Sequence, residues 1–122
     1  NILIKSIKSH EREVIFMMDV PDLNFNPISC IDFSPHLIGQ RSPCIQRYEE
    51  YYNRNYKFLD SLKHDLISKN IDYIYDPVPL FCNQNECIAS KNDVLLYFDS
   101  DHLSSYGADI VIDDLLRTVR IR

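Results

Sequence analysis

The 122 residues, 45% hydrophobic and 25% charged, suit one folded domain with a real core, though the length is small for an enzyme built on an α/β sheet. A net charge of −5 with scattered Lys and Arg argues against nucleic acid, whose phosphates call for clustered cations. No apolar run nears the roughly 20 residues of a membrane span. The chain's two glycines, Gly39 and Gly107, cannot build a G-x-G-x-x-G or P-loop phosphate cradle, so no nucleotide or other cofactor is expected.

Asn1-Ile2-Leu3-Ile4-Lys5-Ser6-Ile7-Lys8 reads as the tail of a helix already under way, which makes the chain a fragment by this reading. No signal-peptide pattern opens it, which in a fragment says little about compartment. Glu13-Val14-Ile15-Phe16-Met17-Met18 is a short apolar run ending at Asp19 and Pro21; it predicts a strand buried on both faces, as in a parallel sheet. Residues 19–44 contain Pro21, Pro27, Pro35 and Pro43 and no sustained period, and read as a long ordered loop.

Over residues 45–70 the apolar side chains Ile45, Tyr48, Tyr52, Tyr56, Leu59, Leu62 and Leu66 recur at helical spacing, predicting an amphipathic helix packed on something flat. Its tyrosines are read as rings covering the core with wet hydroxyls, in preference to a sugar-stacking surface. Ile71-Asp72-Tyr73-Ile74-Tyr75 predicts the next strand, closed by Asp76 and Pro77. A helix between two short apolar strands is a βαβ unit, hence a parallel sheet with a right-handed crossover. Asp93-Val94-Leu95-Leu96-Tyr97-Phe98 predicts another strand. Residues 104–120 predict a closing helix with Ser104 as N-cap, whose Arg117, Arg120 and Arg122 suit the negative end of the helix dipole.

Cys30, Cys44, Cys82 and Cys87 form an even set of four, which allows three pairings. Cys82 and Cys87 bracket the polar turn Asn83-Gln84-Asn85-Glu86, and Cys30 and Cys44 bracket the irregular stretch with Pro35, Gly39 and Pro43. Local disulfides within each stretch are the simplest arrangement and point to an oxidising compartment. Structural zinc competes poorly, because it needs close ligand pairs that Cys30 and Cys44 do not form; buried free thiols stand between the two readings.

The stretch Asp99-Ser100-Asp101-His102 joins a strand end to a helix start, where functional groups collect in parallel α/β sheets. An Asp three residues before a His can hold its Nδ1–H and leave Nε2 to take a proton from a serine. On spacing alone, a structural reading weighs equally: Asp99 caps the turn and His102 is a satisfied surface residue. His10 and His64, on predicted helices, and His36, in the cysteine loop, are read as solvated.

The wider pattern adds to that spacing. Asp99-x-x-His102-Leu103-Ser104 followed by Gly107-Ala108 resembles the last conserved block of SGNH hydrolases. It is most similar to the SGNH-like domains fused to membrane acyltransferases that O-acetylate surface polysaccharide or peptidoglycan. Val20-Pro21, Cys30, Pro43-Cys44, the helix rich in Tyr and Glu, Asp76-Pro77, Leu80-Phe81-Cys82 with Cys87, and Leu96-Tyr97-Phe98-Asp99 extend the likeness over most of the chain. The resemblance implies His102 as catalytic base, Asp99 as its orienting acid, and structural roles for Leu103, Ser104, Gly107 and Ala108; Asp101 is not the position the motif uses. It implies no metal.

One departure is plain: no Gly-Asp-Ser occurs in the chain and no glycine precedes Gly39, so the family's nucleophile and oxyanion donors are not identifiable. Residues 1–122 are therefore expected to be a single domain forming the C-terminal half of an SGNH-like fold. That fold is a flavodoxin-like three-layer α/β/α with its N-terminal strands missing, and this chain alone is expected to be inactive. The expected partners are a cell-envelope glycan, an acyl donor and a membrane acyltransferase domain. The expected location is periplasmic or otherwise extracytoplasmic, with tethering to the inner membrane through the parent protein. The alternative is a non-catalytic, disulfide-stapled glycan-binding or accessory module of the envelope. Either way, a parallel sheet lacking strands leaves an apolar edge at residues 14–18, and self-association through it is expected.

Overall fold

Strands β1 (Ile15–Met17) and β3 (Tyr73–Tyr75) pair in parallel with Ile15 opposite Tyr73 and Met17 opposite Tyr75, and helix α2 (Tyr48–Ser68) lies between them in the chain. This is the βαβ unit expected from the change of period. The computed structural model describes residues 2–10, 12–31 and 40–121. Pro35, His36, Gly39 and Arg122, which enter the sequence reading, lie outside them.

Helix α1 (Ile2–Lys8) precedes the first strand, in keeping with the helical reading of the first residues, and His10 falls in the turn just after it. Helix α2 carries Glu49 and Glu50 in its first turn, where carboxylates favour the positive end of the helix dipole. It stops where Asn70 enters the left-handed region at φ 52°. The Asn70 N–H donates to the Ile67 carbonyl at 3.1 Å and the Ile71 N–H to Leu66 at 3.4 Å, the bonding of a Schellman end. The closing helix, α4 (Ser105–Ile121), has Arg120 in its last turn, consistent with the dipole reading of the terminal arginines.

Two predicted elements change character. The apolar period was expected to make residues 45–47 helical, but Ile45–Arg47 form strand β2, antiparallel to β4 (Glu86–Ile88). Ile45 satisfies either period when read in isolation, and what decides is the arrival of β4 beside these residues, with Gln46 buried at 2% exposure and its amide nitrogen donating to the Asp22 carbonyl. The strand expected over residues 93–98 shrinks to β6 (Val94–Leu95), the return arm of a hairpin with β5 (Ser90–Lys91). Asn92 and Asp93 turn that hairpin with φ of 52° and 60°, left-handed values that Asn and Asp tolerate best among residues with side chains. Strand β6 pairs antiparallel, and the fold is a small α/β arrangement around one parallel strand pair.

Leu23, Tyr75, Phe81, Ala89, Leu96, Tyr97 and Val111 form the core. Helix α4 closes it over β3: the Tyr75 hydroxyl donates to Asp114 Oδ2 at 2.8 Å. Both disulfides are local, Cys30–Cys44 and Cys82–Cys87. Loops of these lengths give each a stabilisation of about 2–3 kcal/mol in the chain-entropy account. The short helix α3 (Val78–Phe81) leads into the second of them. No described helix is long and apolar enough to cross a membrane.

Strand β1 is not enclosed as expected. The Val14 carbonyl accepts from Tyr73 N–H and Met18 N–H donates to the Tyr75 carbonyl, so Ile15 and Met17 turn their backbone groups to the opposite edge. No strand pairs there among the described residues. Phe16, Met17, Phe58, Leu59 and Leu62 line a groove along this side, with Met17 45% and Phe58 65% exposed. An unpaired apolar edge templates strand addition. The isolated 122-residue chain is therefore expected to self-associate in light scattering, and Met17→Lys with Phe58→Glu to shift it towards monomer. A monodisperse wild-type monomer would contradict this reading of the edge.

Candidate active site

The turn between Tyr97 and Leu103 is built from both ends. Tyr97 and Leu103 form an antiparallel bridge, and the Phe98 N–H donates to the His102 carbonyl at 2.8 Å. On the helix side, Ser104 acts as N-cap in the way the sequence predicts: its Oγ accepts from Gly107 N–H at 3.1 Å, satisfying one of the free donors of the first turn. The same hydroxyl donates to the Leu95 carbonyl at 2.7 Å, and Ser104 N–H to Leu96 at 3.0 Å. Gly107 is required by proximity: a Cβ there would collide with the Leu96 carbonyl oxygen and lie 3.2 Å from Leu103 Cδ2. Ser104 and Gly107 thus press the start of α4 onto the Leu95–Leu96 backbone and fix the turn between them.

Within the turn, Asp99 is the organising group. Its Oδ1 accepts from Asp101 N–H at 3.0 Å and from His102 N–H at 2.7 Å. The His102 ring lies with Nδ1 at 3.0 and 2.9 Å from the two Asp99 oxygens and 3.1 Å from Asp101 Oδ1. A carboxylate can only accept, so Nδ1 carries the proton and donates. Nε2 has no hydrogen-bond partner among the described residues. The two sequence readings, a cap for the turn and an orienting acid, prove to be one arrangement. Asp99 caps the turn and holds the ring with the same carboxyl group.

The electrostatics follow from those contacts. The Asp101 N–H holds the Asp99 carboxyl well below the usual carboxylate range; burial opposes this, and the His102 N–H and ring add to the lowering. His102 is raised above the ordinary imidazole value, first by its hydrogen bond to Asp99 and then by the charges of Asp99 and Asp101. The His102 side chain is 73% exposed and that of Asp99 41%, so solvent screens the pair, and its value lies in orientation and proton affinity, not in fold stability.

This turn sits against the segment that follows β1. The Tyr97 hydroxyl, buried in the core, donates to the Pro21 carbonyl at 2.8 Å, and Leu23 N–H donates to the Ser100 carbonyl at 2.6 Å. Asp99 and His102 therefore stand beside the carboxyl end of a parallel strand, where α/β folds collect their sites, although the strand before them is antiparallel.

The pattern of residues and geometry agrees with the protein-family comparison, in which the model of the SGNH domain fused to AT3 domains matches residues 3–117. The chain belongs to that SGNH family. No curated protein and no solved structure matches it significantly. As an SGNH domain of the kind joined to AT3 acyltransferase domains, it is an accessory domain of an acyltransferase, and its two disulfides fit an oxidising compartment.

Of the residues singled out in the sequence, Asp99 and His102 are brought together, and the four cysteines pair as the simplest arrangement requires. His10 Nδ1 bonds the Ser6 carbonyl at 2.8 Å in its own exposed turn, His64 stays on α2, and neither approaches the pair's hydrogen bonds. Asp99, Asp101 and His102 are the one group of His, Cys, Asp and Glu among the described residues whose ligand atoms lie within 4.8 Å of one another; all three stand on a single exposed turn, with Nδ1 already engaged.

The SGNH domain also carries a polar cluster that pattern reading missed. Arg54 donates to Asp22 Oδ2 through Nε at 3.1 Å and a terminal nitrogen at 3.0 Å, and to Gln46 Oε1 at 3.1 Å. Asn55 donates to Asp22 Oδ1 at 2.6 Å. The one available signal was Asp22 itself, just past an apolar strand on the side where sites form.

Two outcomes test this assembly. Asp99→Asn removes the charge that raises His102, so the His102 titration followed by NMR should move down towards the ordinary value of about 6.5; an unchanged titration would contradict the pairing. Gly107→Ala should cost about 1–3 kcal/mol of stability through overpacking, visible as a lower melting temperature, whereas a neutral effect would contradict the tight approach of α4 to Leu96.

Proposed function

We propose that Asp99 and His102 are the acid–base pair of a Ser-His-Asp acyl-transfer site whose serine lies outside residues 1–122. The observation that carries this reading is the Nδ1–H bond from His102 to Asp99 at 2.9 Å, on a His102 side chain that is 73% exposed. In this arrangement Nε2 takes the proton from a serine hydroxyl as Oγ attacks an acyl carbonyl. The imidazolium that forms is stabilised by Asp99, which stays ionised because its pKa is depressed. The proton then passes to the leaving oxygen. Oxyanion donors, which contribute a few kcal/mol in such sites, would come with the serine.

In this reading residues 1–122 are the C-terminal half of a three-layer, flavodoxin-like domain. Further parallel strands, bearing the nucleophile, complete the sheet at the free edge of β1. The fusion of the family to AT3 acyltransferase domains supports O-acylation of a cell-envelope glycan, outside the cytoplasm and tethered to the membrane through the parent. The local disulfides support the same side of the membrane.

The test is hydrolysis of p-nitrophenyl acetate by the full-length protein. His102→Ala is expected to lower kcat/KM about a thousand-fold, within the range for loss of a general base. Because Asp99 raises His102, the deprotonated base is populated only above a higher pH than for a free imidazole. The acid limb of the wild-type rate profile should accordingly move to lower pH in Asp99→Asn, together with a fall in the maximal rate. Unchanged turnover in His102→Ala would favour a non-catalytic envelope module.

A further inference from the structure

The His102 ring meets two carboxylates, and the Asp-x-x-His spacing accounts for one of them. Asp99 Oδ1 already takes the Asp101 and His102 N–H groups at 3.0 and 2.7 Å, and its Oδ2 stands 2.9 Å from the ring Nδ1. Asp101 Oδ1 stands 3.1 Å from the same nitrogen. The backbone donors of the turn go to Asp99, which leaves the Asp101 carboxylate to the ring. One Nδ1–H therefore serves two acceptors, a three-centred bond.

The two carboxylates also act on each other. An oxygen of each lies within 4.8 Å of the other and of the ring, so like charges repel while the imidazole is neutral. Protonation at Nε2 turns the ring into a cation between two anions and relieves that repulsion. The contact with Asp101 is thus stronger for the imidazolium than for the imidazole, the condition under which a contact lowers a barrier. The other charged side chains near the turn are Asp22, from the segment after β1, and Arg54, from α2, which line a cleft with Asp99. They are ion-paired with each other at 3.0 Å, so their charges largely offset. The side chains of Asp101 and His102 are 63% and 73% exposed, and solvent keeps the effect to a factor of a few.

We infer that Asp101 is a second positioning residue of the acyl-transfer site, sharing the His102 Nδ1–H with Asp99 and backing it when the ring becomes cationic. The inference rests on the acyl-transfer reading above and adds a residue to it. As the serine Oγ bonds the acyl carbon, its proton passes to Nε2; Nδ1–H stays on the ring, and neither carboxylate gains a proton. Because either carboxylate can hold the ring, each covers in part for the loss of the other.

Asp101→Asn in the full-length protein isolates the charge, since it keeps the backbone N–H that Asp99 accepts. Diethyl pyrocarbonate modifies neutral imidazole, and peptide mapping by mass spectrometry reads His102 alone, independently of activity. At about pH 6, His102 should be carbethoxylated about three-fold faster in Asp101→Asn than in wild type, with the slower rate restored in Asp101→Glu. On p-nitrophenyl acetate, Asp101→Asn should lower kcat about three-fold with KM unchanged, and about ten-fold when residue 99 is already Asn. Equal carbethoxylation rates in wild type and Asp101→Asn, or the same fractional loss of kcat with and without the Asp99 charge, would each overturn the assignment. If His102→Ala abolishes hydrolysis while Asp101→Asn behaves as wild type, the role of Asp101 alone fails. If His102→Ala retains hydrolysis, the acyl-transfer reading fails, and with it the catalytic role of Asp101, while the carbethoxylation rates still decide whether Asp101 shares the ring.

Discussion

The close approach of helix α4 to the Leu95–Leu96 backbone is the constraint from which the rest of the site follows. A side chain at Gly107 would strike the Leu96 carbonyl, and Ser104 spends both its hydroxyl and its N–H on this contact, with Leu95 at 2.7 Å and Leu96 at 3.0 Å. Because the helix begins there, the chain between Tyr97 and Leu103 has no choice but a tight turn. A tight turn leaves backbone N–H groups of residues 101 and 102 pointing inward, and the Asp99 carboxylate is the group that receives them. Once Asp99 is so placed, the His102 ring falls within reach of it. Packing at a glycine thereby sets the orientation of an imidazole several residues away.

The second consequence is electrical. A carboxylate that accepts two backbone donors and a ring nitrogen remains charged far into the acid range, so the partner of His102 stays anionic wherever the imidazole titrates. Its exposure means that this coupling adds little to folding and leaves the pair free to be used. The core supplies the rigidity instead: Tyr97, buried on one side of the turn, reaches across to Pro21 at 2.8 Å and ties the turn to the end of β1. The geometry of the pair thus depends on elements outside it.

Much of this was legible in the sequence, for reasons that are local. The Asp99-x-x-His102 spacing and the Ser104 cap act within a few residues, so pattern reading reaches them. The βαβ order was visible because the period changes cleanly from strand to helix and back. The cysteines lie close in the chain to their own partners. What escaped was non-local. Ile45–Arg47 join a strand because Glu86–Ile88 arrive beside them, and nothing within residues 45–70 announces that. The shortening of the strand before Asp99 follows from the left-handed Asn92 and Asp93, the second of which the apolar pattern places at the start of the strand. The Asp22–Gln46–Arg54 cluster joins Asp22 to positions more than twenty residues further along the chain, and each of the three alone looks like an ordinary surface residue.

The central claim is that Asp99 and His102 serve a serine outside residues 1–122. Labelling of the full-length protein with a fluorophosphonate, which reacts with base-activated serines, followed by peptide mapping, tests it most directly. The account predicts one labelled serine, located outside residues 1–122, with labelling abolished in His102→Ala and slowed in Asp99→Asn. Labelling that is absent, that falls on a serine within residues 1–122, or that persists unchanged in His102→Ala would contradict it.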